Sequence, residues 1–293
     1  MTPGLGAGRV RSLLYGLLGL LGLAALWEGY KAIGPAEGVA IGETVLLPRT
    51  SDLAMPHVWD SIARAFQPAT GTSGELVVVA VAKAAASTLG TAAVGLLLGA
   101  AIGVALALVM QRFRLADKAV LPWLILSQTV PLIALAPLVV AWGGRLELGA
   151  LQWERWMSVA VIASYLAFFP VAVGTLRGLR SPEPAHLDLF RAQGVGWWRT
   201  LRYLRLPAAV PQLLAALRLG AATAIIGTVV AEVSTGARGG IGRLIVEYAQ
   251  SGSSDPAKAW APIAGAVVMG LLAAGIVALA GLALRNYRRA EVA

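Results

Sequence analysis

The chain has 293 residues, 58% of them hydrophobic and only 13% charged, against about 25% charged in an ordinary soluble domain. The formal net charge of +9 raises nucleic acid as a partner, but the basic residues gather beyond the ends of apolar blocks, so the partner expected is the lipid bilayer and no nucleic acid. With no cysteine, disulfides, thiol catalysis and Cys-based metal sites are excluded, and with His57 and His186 far apart in sequence no His-based metal site is expected. No nucleophile–base pair stands out, so the chain is read as a non-enzyme that holds no cofactor of its own.

A bilayer core of about 30 Å takes about 20 helical residues to cross. The first apolar block, Ser12 to Trp27, is slightly short, but Arg11 and Lys31 can snorkel outward at its ends. Arg9 and Arg11 before an apolar run, with small residues near Ala24 and Ala25, also fit a signal peptide. The run is long for one, and Trp27 and Tyr30 suit an interfacial belt, so an uncleaved helix over residues 1–33 is expected. An external segment, 34–75, follows, punctuated by Pro48, Pro56, Pro68, Gly71 and Gly74. Within it, Val58 to Phe66 fits a short amphipathic helix on the outer surface.

The second span is Ala84 to Gln111, where Gly95, Gly99 and Gly103 recur every four residues and let another helix backbone approach closely. The third, Ala119 to Gly144, carries Gln128, Thr129, Pro131 and Pro137 near its middle. Such irregularity is tolerated where it is buried in protein or lines a watery cavity, and both readings stay open. Trp156 to Leu176 is the fourth span and holds Ser164 and Tyr165. Pro207 to Val230 is the fifth, with Arg218, Thr223 and Thr228 inside it and Glu232 at its outer end. Ala259 to Leu284 is the sixth. Between the last two, the cluster Gly-Ala-Arg-Gly-Gly-Ile-Gly from Gly236 lacks the Gly-Lys-Ser/Thr ending of a phosphate loop and is read as a turn.

The fold class expected is an all-α integral membrane protein with six transmembrane helices. Lys and Arg favour cytoplasmic loops. With both termini inside, the cytoplasmic segments hold Arg9, Arg11, Arg112, Arg114, Lys118, Arg177, Arg180, Arg191, Arg199, Arg202, Arg205, Arg285, Arg288 and Arg289 against only Asp117, Glu183, Asp188 and Glu291. The chain then divides into an N-terminal helix (1–33), the external segment (34–75), a five-helix core (76–285) with an inner loop at 177–206, and a cytoplasmic tail (286–293). The pathway candidates are Gln128, Thr129, Pro131, Ser164, Tyr165, Thr228 and Glu232.

The inner loop is the longest and most basic. Ser181, Pro182 and Glu183 suit a helix start, with a side-chain cap, a proline in the first turn and an acid facing the dipole. A short amphipathic stretch follows, interrupted at Gly194, where glycine permits either a close approach or a left-handed turn, with Trp197 and Trp198 at the headgroup level. Permeases of ABC importers carry a cytoplasmic motif of Glu-Ala-Ala, three residues, Gly, nine residues, then Ile-x-Leu-Pro. Here Asp188-Leu189-Phe190 is followed after three residues by Gly194, and after nine more by Leu204-Arg205-Leu206-Pro207. Asp replaces Glu and Leu-Phe replaces Ala-Ala. The stretches 206–233 and 239–245 resemble the nitrate, sulfonate and taurine branch of these permeases, and 127–144 resembles the same branch, including its members for thiamine pyrimidines and riboflavin.

The resemblance implies a coupling helix between the fourth and fifth spans, with Asp188, Leu189, Phe190, Ala192, Gly194, Leu204, Leu206 and Pro207 at the ATPase contact. It further implies a bacterial inner-membrane location, a second permease copy as a homodimer, two cytoplasmic ABC ATPases that bind Mg-ATP, and an extracytoplasmic substrate-binding protein. The solute implied is small and polar or anionic. An ion-gradient-driven secondary transporter or channel is the alternative. It needs intramembrane acids or a proton relay, and the second, third, fourth and sixth spans hold none.

Overall fold

A computed structural model of the chain describes residues 5–41, 44–70, 74–145, 147–148 and 151–283. The tail at 286–293 lies outside them. In chain order the elements are α1 (Leu5–Ile33), β1 (Val39–Ile41), β2 (Thr44–Leu47), α2 (Val58–Ala65), α3 (Val77–Arg112), α4 (Arg114–Ser127), α5 (Leu132–Gly143), β3 (Glu147–Leu148), β4 (Leu151–Gln152), α6 (Arg155–Leu179), α7 (Pro184–Ala192), α8 (Trp197–Thr200), α9 (Leu206–Thr235), α10 (Ile241–Gln250) and α11 (Pro256–Ala283). A π-helical turn, Leu201–Arg205, joins α8 to α9. The chain forms two compact units, Met1–Ala80 with Glu247–Ile263, and Val81–Val246 with Ala264–Ala293.

In the first unit, polar contacts tie the segment after α1 back to the end of that helix. The Glu28 carboxylate accepts the Val58 N–H at 2.8 Å and pairs with His57 Nδ1 at 2.7 Å. Trp27 Nε1 donates to the Pro56 carbonyl at 3.0 Å, and Lys31 Nζ meets Asp52 at 2.6 Å. The amphipathic stretch expected at Val58 to Phe66 is α2, and Phe66 caps its C-terminus. Trp59, Ile62 and Phe66 are exposed. The small antiparallel hairpin β1–β2, pairing Val39 with Leu47, was not foreseen. Its strands are too short for two-residue alternation to register. Arg64 closes onto Asp255 at 2.7 Å, and Trp27 meets Trp260 edge-on at 4.9 Å.

The second unit is a helical bundle whose core consists mainly of small residues. The period-four glycines of α3 face α6. A Cβ on Gly95 would lie 2.4 Å from Ala163 Cβ, one on Gly99 2.7 Å from the Ser164 carbonyl, and one on Gly103 2.7 Å from the Phe168 carbonyl. Between α6 and α9 the same device recurs: a Cβ on Gly174 would lie 2.4 Å from Ala216, and one on Gly178 2.9 Å from Ala209. In lipid the apolar tails compete equally for leucines, so close backbone packing supplies the association energy. Ala163, Ala167 and Ala224 form the contact between α6 and α9, with Leu96 of α3 against them. Ala107, Met110, Leu124, Leu176, Leu179 and Leu201 close one end of the bundle.

Four described helical segments are long and apolar enough to cross a membrane: Val77–Arg112, Arg155–Leu179, Trp197–Thr235 and Pro256–Val277. The expected third span is a bent pair, α4 and α5, meeting at 100°, which makes a fifth if counted as one crossing. Helix α1 is outside that count. The bend has a local cause. Pro131 has no N–H to continue the α4 ladder and disfavours helical geometry at Val130. Pro131 becomes the N-cap of α5, whereas Pro137 is carried inside that helix.

Candidate functional site

The inner loop is an exposed helix on an anchored base. Helix α7 has no buried residue, and Asp188, Leu189 and Ala192 are exposed while Phe190 is half-buried. Asp188 pairs with Arg191 on its own helix, at 2.9 Å. The helix starts two residues later than the sequence suggested. Glu183 is the N-cap, makes no side-chain cap, and Pro184 supplies the first-turn proline. Ser181 is unavailable as a cap because its hydroxyl donates to the Gly178 carbonyl at the end of α6, at 2.8 Å.

Gly194 ends α7 in a Schellman turn. Its φ is +65°, its N–H donates to the Arg191 carbonyl at 2.9 Å, and the Val195 N–H donates to the Phe190 carbonyl at 2.9 Å. These bonds satisfy two carbonyls that every helix end leaves free. A Cβ on Gly194 would meet nothing within 4 Å, so the surface around it is open in this chain.

The base holds contacts that the sequence did not reveal. Trp197 donates Nε1 to Gln111 Oε1 at 3.1 Å, and the Arg112 guanidinium lies 5.2 Å over its ring. Trp198 is exposed. Arg205 donates to the Leu179 carbonyl at 2.8 Å, and Arg180 pairs with Asp117 at 2.8 Å. Long-range pairing of a loop tryptophan with the end of α3 leaves no local sequence signal. The π-helical turn ends two residues before Pro207. Proline in a regular helix would clash with the carbonyl four residues back, and a widened turn relieves that crowding. Leu204 is half-buried, while Leu206 and Pro207 are exposed.

The second group sits at the α4–α5 bend. Ser127, Gln128, Thr129 and Pro131 form the break, and Tyr165 of α6 donates its hydroxyl to the Ser127 carbonyl. Ser127 Oγ donates to the Leu124 carbonyl at 2.7 Å and Thr129 Oγ1 to the Leu126 carbonyl at 2.8 Å. Gln128 Nε2 donates to Ser127 Oγ at 3.2 Å. The carbonyls that α4 frees are thus taken by side chains, as a break at membrane depth requires. Thr129 and Pro131 are exposed, and Gln128 and Tyr165 are half-buried.

The remaining candidates lie elsewhere. Ser164 is buried and bonds the Val161 carbonyl of its own helix. Thr228 is fully buried and bonds Ala224 of its own helix at 2.8 Å. Glu232 is buried, and its carboxylate accepts from Thr88 Oγ1 and from the Gly242 N–H at 2.9 Å each. Arg218 is exposed on α9. Among the described residues no cluster of three or more His, Cys, Asp or Glu is placed to hold a metal.

Over 156 residues the chain is 36% identical to the formylaminopyrimidine transport permease protein ThiX of Halalkalibacterium halodurans, covering 53% of this chain and 58% of that one. It is 33% identical over 132 residues to the riboflavin transport system permease protein RibX of Chloroflexus aurantiacus, covering 45% and 46%. It is 30% identical over 197 residues to the putative aliphatic sulfonates transport permease protein SsuC of Bacillus subtilis, covering 67% of each chain. The chain thus spans about half the length of the first two relatives. Residues 78–289 match the family described as binding-protein-dependent transport system inner membrane component, so the chain belongs to that family, the inner-membrane permeases of ABC importers.

Proposed function

We propose that this chain lines the route of a small polar or anionic solute across the inner membrane and couples its movement to a cytoplasmic ATPase. The assembly proposed has two permease copies, two ATPases that bind Mg-ATP, and an extracytoplasmic substrate-binding protein. The observation that carries the reading is the inner loop: an exposed helix, reversed at Gly194 and mounted on a base pinned to α3 and α6. From that base one helical path runs from Trp197 to Thr235. An ATPase that moves α7 would therefore move a membrane-spanning helix.

The solute class rests on the relatives, whose names give a formylaminopyrimidine, riboflavin and aliphatic sulfonates. Compounds of these kinds share polar or anionic groups, and binding of each to the partner binding protein identifies the class. The coupling claim is tested by Gly194→Trp in purified complex in lipid. Membrane insertion should be normal, uptake lost, and ATPase activity no longer raised by the loaded binding protein. Wild-type stimulation and uptake would return α7 to an ordinary interfacial helix.

A further inference from the structure

The helical path that starts at the coupling loop ends on a buried carboxylate. The path from Trp197 to Thr235 has 39 residues, about 58 Å at 1.5 Å per residue. At its far end Glu232 is only 4% exposed. Its carboxylate accepts the Thr88 hydroxyl at 2.9 and 3.0 Å and the Gly242 N–H at 2.9 Å. Thr88, on α3 and 0% exposed, in turn accepts the Ile241 N–H at 2.8 Å. The first two N–H groups of α10 are therefore satisfied by side chains from α9 and α3, and the negative charge faces the positive end of the α10 dipole.

The surrounding glycines make room for this contact. A Cβ on Gly240 would lie 2.0 Å from Glu232 Oε1, and one on Gly242 2.5 Å from the Val229 carbonyl. Gly236 and Gly239, at φ +64° and +93°, turn the chain so that α10 presents its start to the carboxylate. In place of Glu232, a serine at position 240 would cap α10 only locally and without a buried charge. The remote carboxylate does something a local cap cannot: it locks the start of α10 to both α9 and α3.

We propose that Glu232, held by Thr88, is a positioning residue that makes α10 follow α9, so that displacement at the coupling loop is delivered to the opposite end of the bundle. This rests on the permease reading above. The carboxylate is consumed by the joint, and its role is transmission rather than contact with solute.

The test uses the complete importer in lipid nanodiscs, with a nitroxide on His186→Cys of α7 or on Leu244→Cys of α10. In the wild type both labels should change spectrum between the nucleotide-free and ATP–vanadate states. Glu232→Gln keeps the shape but places an amide NH2 toward one of two donors. Thr88→Val removes the hydroxyl, and Thr88→Ser keeps it. In Glu232→Gln and Thr88→Val the α7 label should still respond while the α10 label does not. Uptake per ATP should fall at least about tenfold, since one lost hydrogen bond to a charged group exceeds that factor. Thr88→Ser should restore both. A wild-type α10 response and uptake in Glu232→Gln and Thr88→Val would overturn the proposal. If Glu232→Gln fails to insert, the Thr88→Val and Thr88→Ser pair decides alone. Silence of both labels in the wild type would instead overturn the coupling reading, and this proposal with it.

Discussion

At Gly194 the constraint is a dihedral angle and not a lack of space. The φ of +65° costs an L side chain about 1–2 kcal/mol, and asparagine tolerates it better than alanine does. The bundle gains nothing from this exposed turn, so thermal stability should barely change in Gly194→Ala or Gly194→Asn. Uptake should fall further in the alanine variant, because only its loop must rearrange. Equal uptake in the two variants would show that the turn geometry is unimportant. The spacing of the motif pointed to Gly194, and the left-handed turn was one of the two readings open there. The other, a close approach by a neighbour, has no counterpart within this chain. Where α7 begins was not legible, because Ser181 serves the end of α6 instead, its hydroxyl bonding the Gly178 carbonyl three residues back.

At the scale of elements, α3 offers a direct comparison. Gly99→Leu forces a side chain against the α6 backbone and should destabilise the bundle by about 1–3 kcal/mol. Gly90→Ala, where a Cβ meets nothing within 4 Å, should be neutral or stabilising by up to about 1 kcal/mol. Thermal unfolding in detergent separates the two, and similar midpoints would mean that the glycine face carries no packing. The four-residue spacing announced a close helix approach; that the neighbour is α6 required the tertiary structure. The α4–α5 bend makes its own prediction. Cysteines at Gln128 and Thr129 should react with a small permeant thiol reagent at rates that change when ATP binds. Inertness in every nucleotide state would leave the bend as packing. Two prolines and two polar side chains marked the irregularity, but not that Tyr165, 38 positions away, bonds the Ser127 carbonyl there.

For the whole molecule, the distribution of arginine predicts that Ser181 and Ser253 face opposite sides of the membrane. Both are exposed, and the chain is naturally free of cysteine. Single cysteines there should label from opposite sides in intact cells, and labelling of Ser181→Cys by an impermeant external reagent would reject the orientation. The sequence by itself determined that this is a membrane protein, where most of its long helices lie, and that 188–207 carries a permease motif. Those properties are local: apolar block length sets a span, and motif spacing survives in one dimension. Only the tertiary structure decided what each block does beyond crossing. It split the third block at a bend and joined α8, the π-helical turn and α9 into one path. It also placed Trp197 against Gln111 and spent the Glu232 carboxylate on the start of α10. Those outcomes turn on hydrogen-bonding groups that find partners far away in sequence. In a bundle where lipid and leucine are equally apolar, such partners and close backbone contacts determine the arrangement, and hydropathy does not record them.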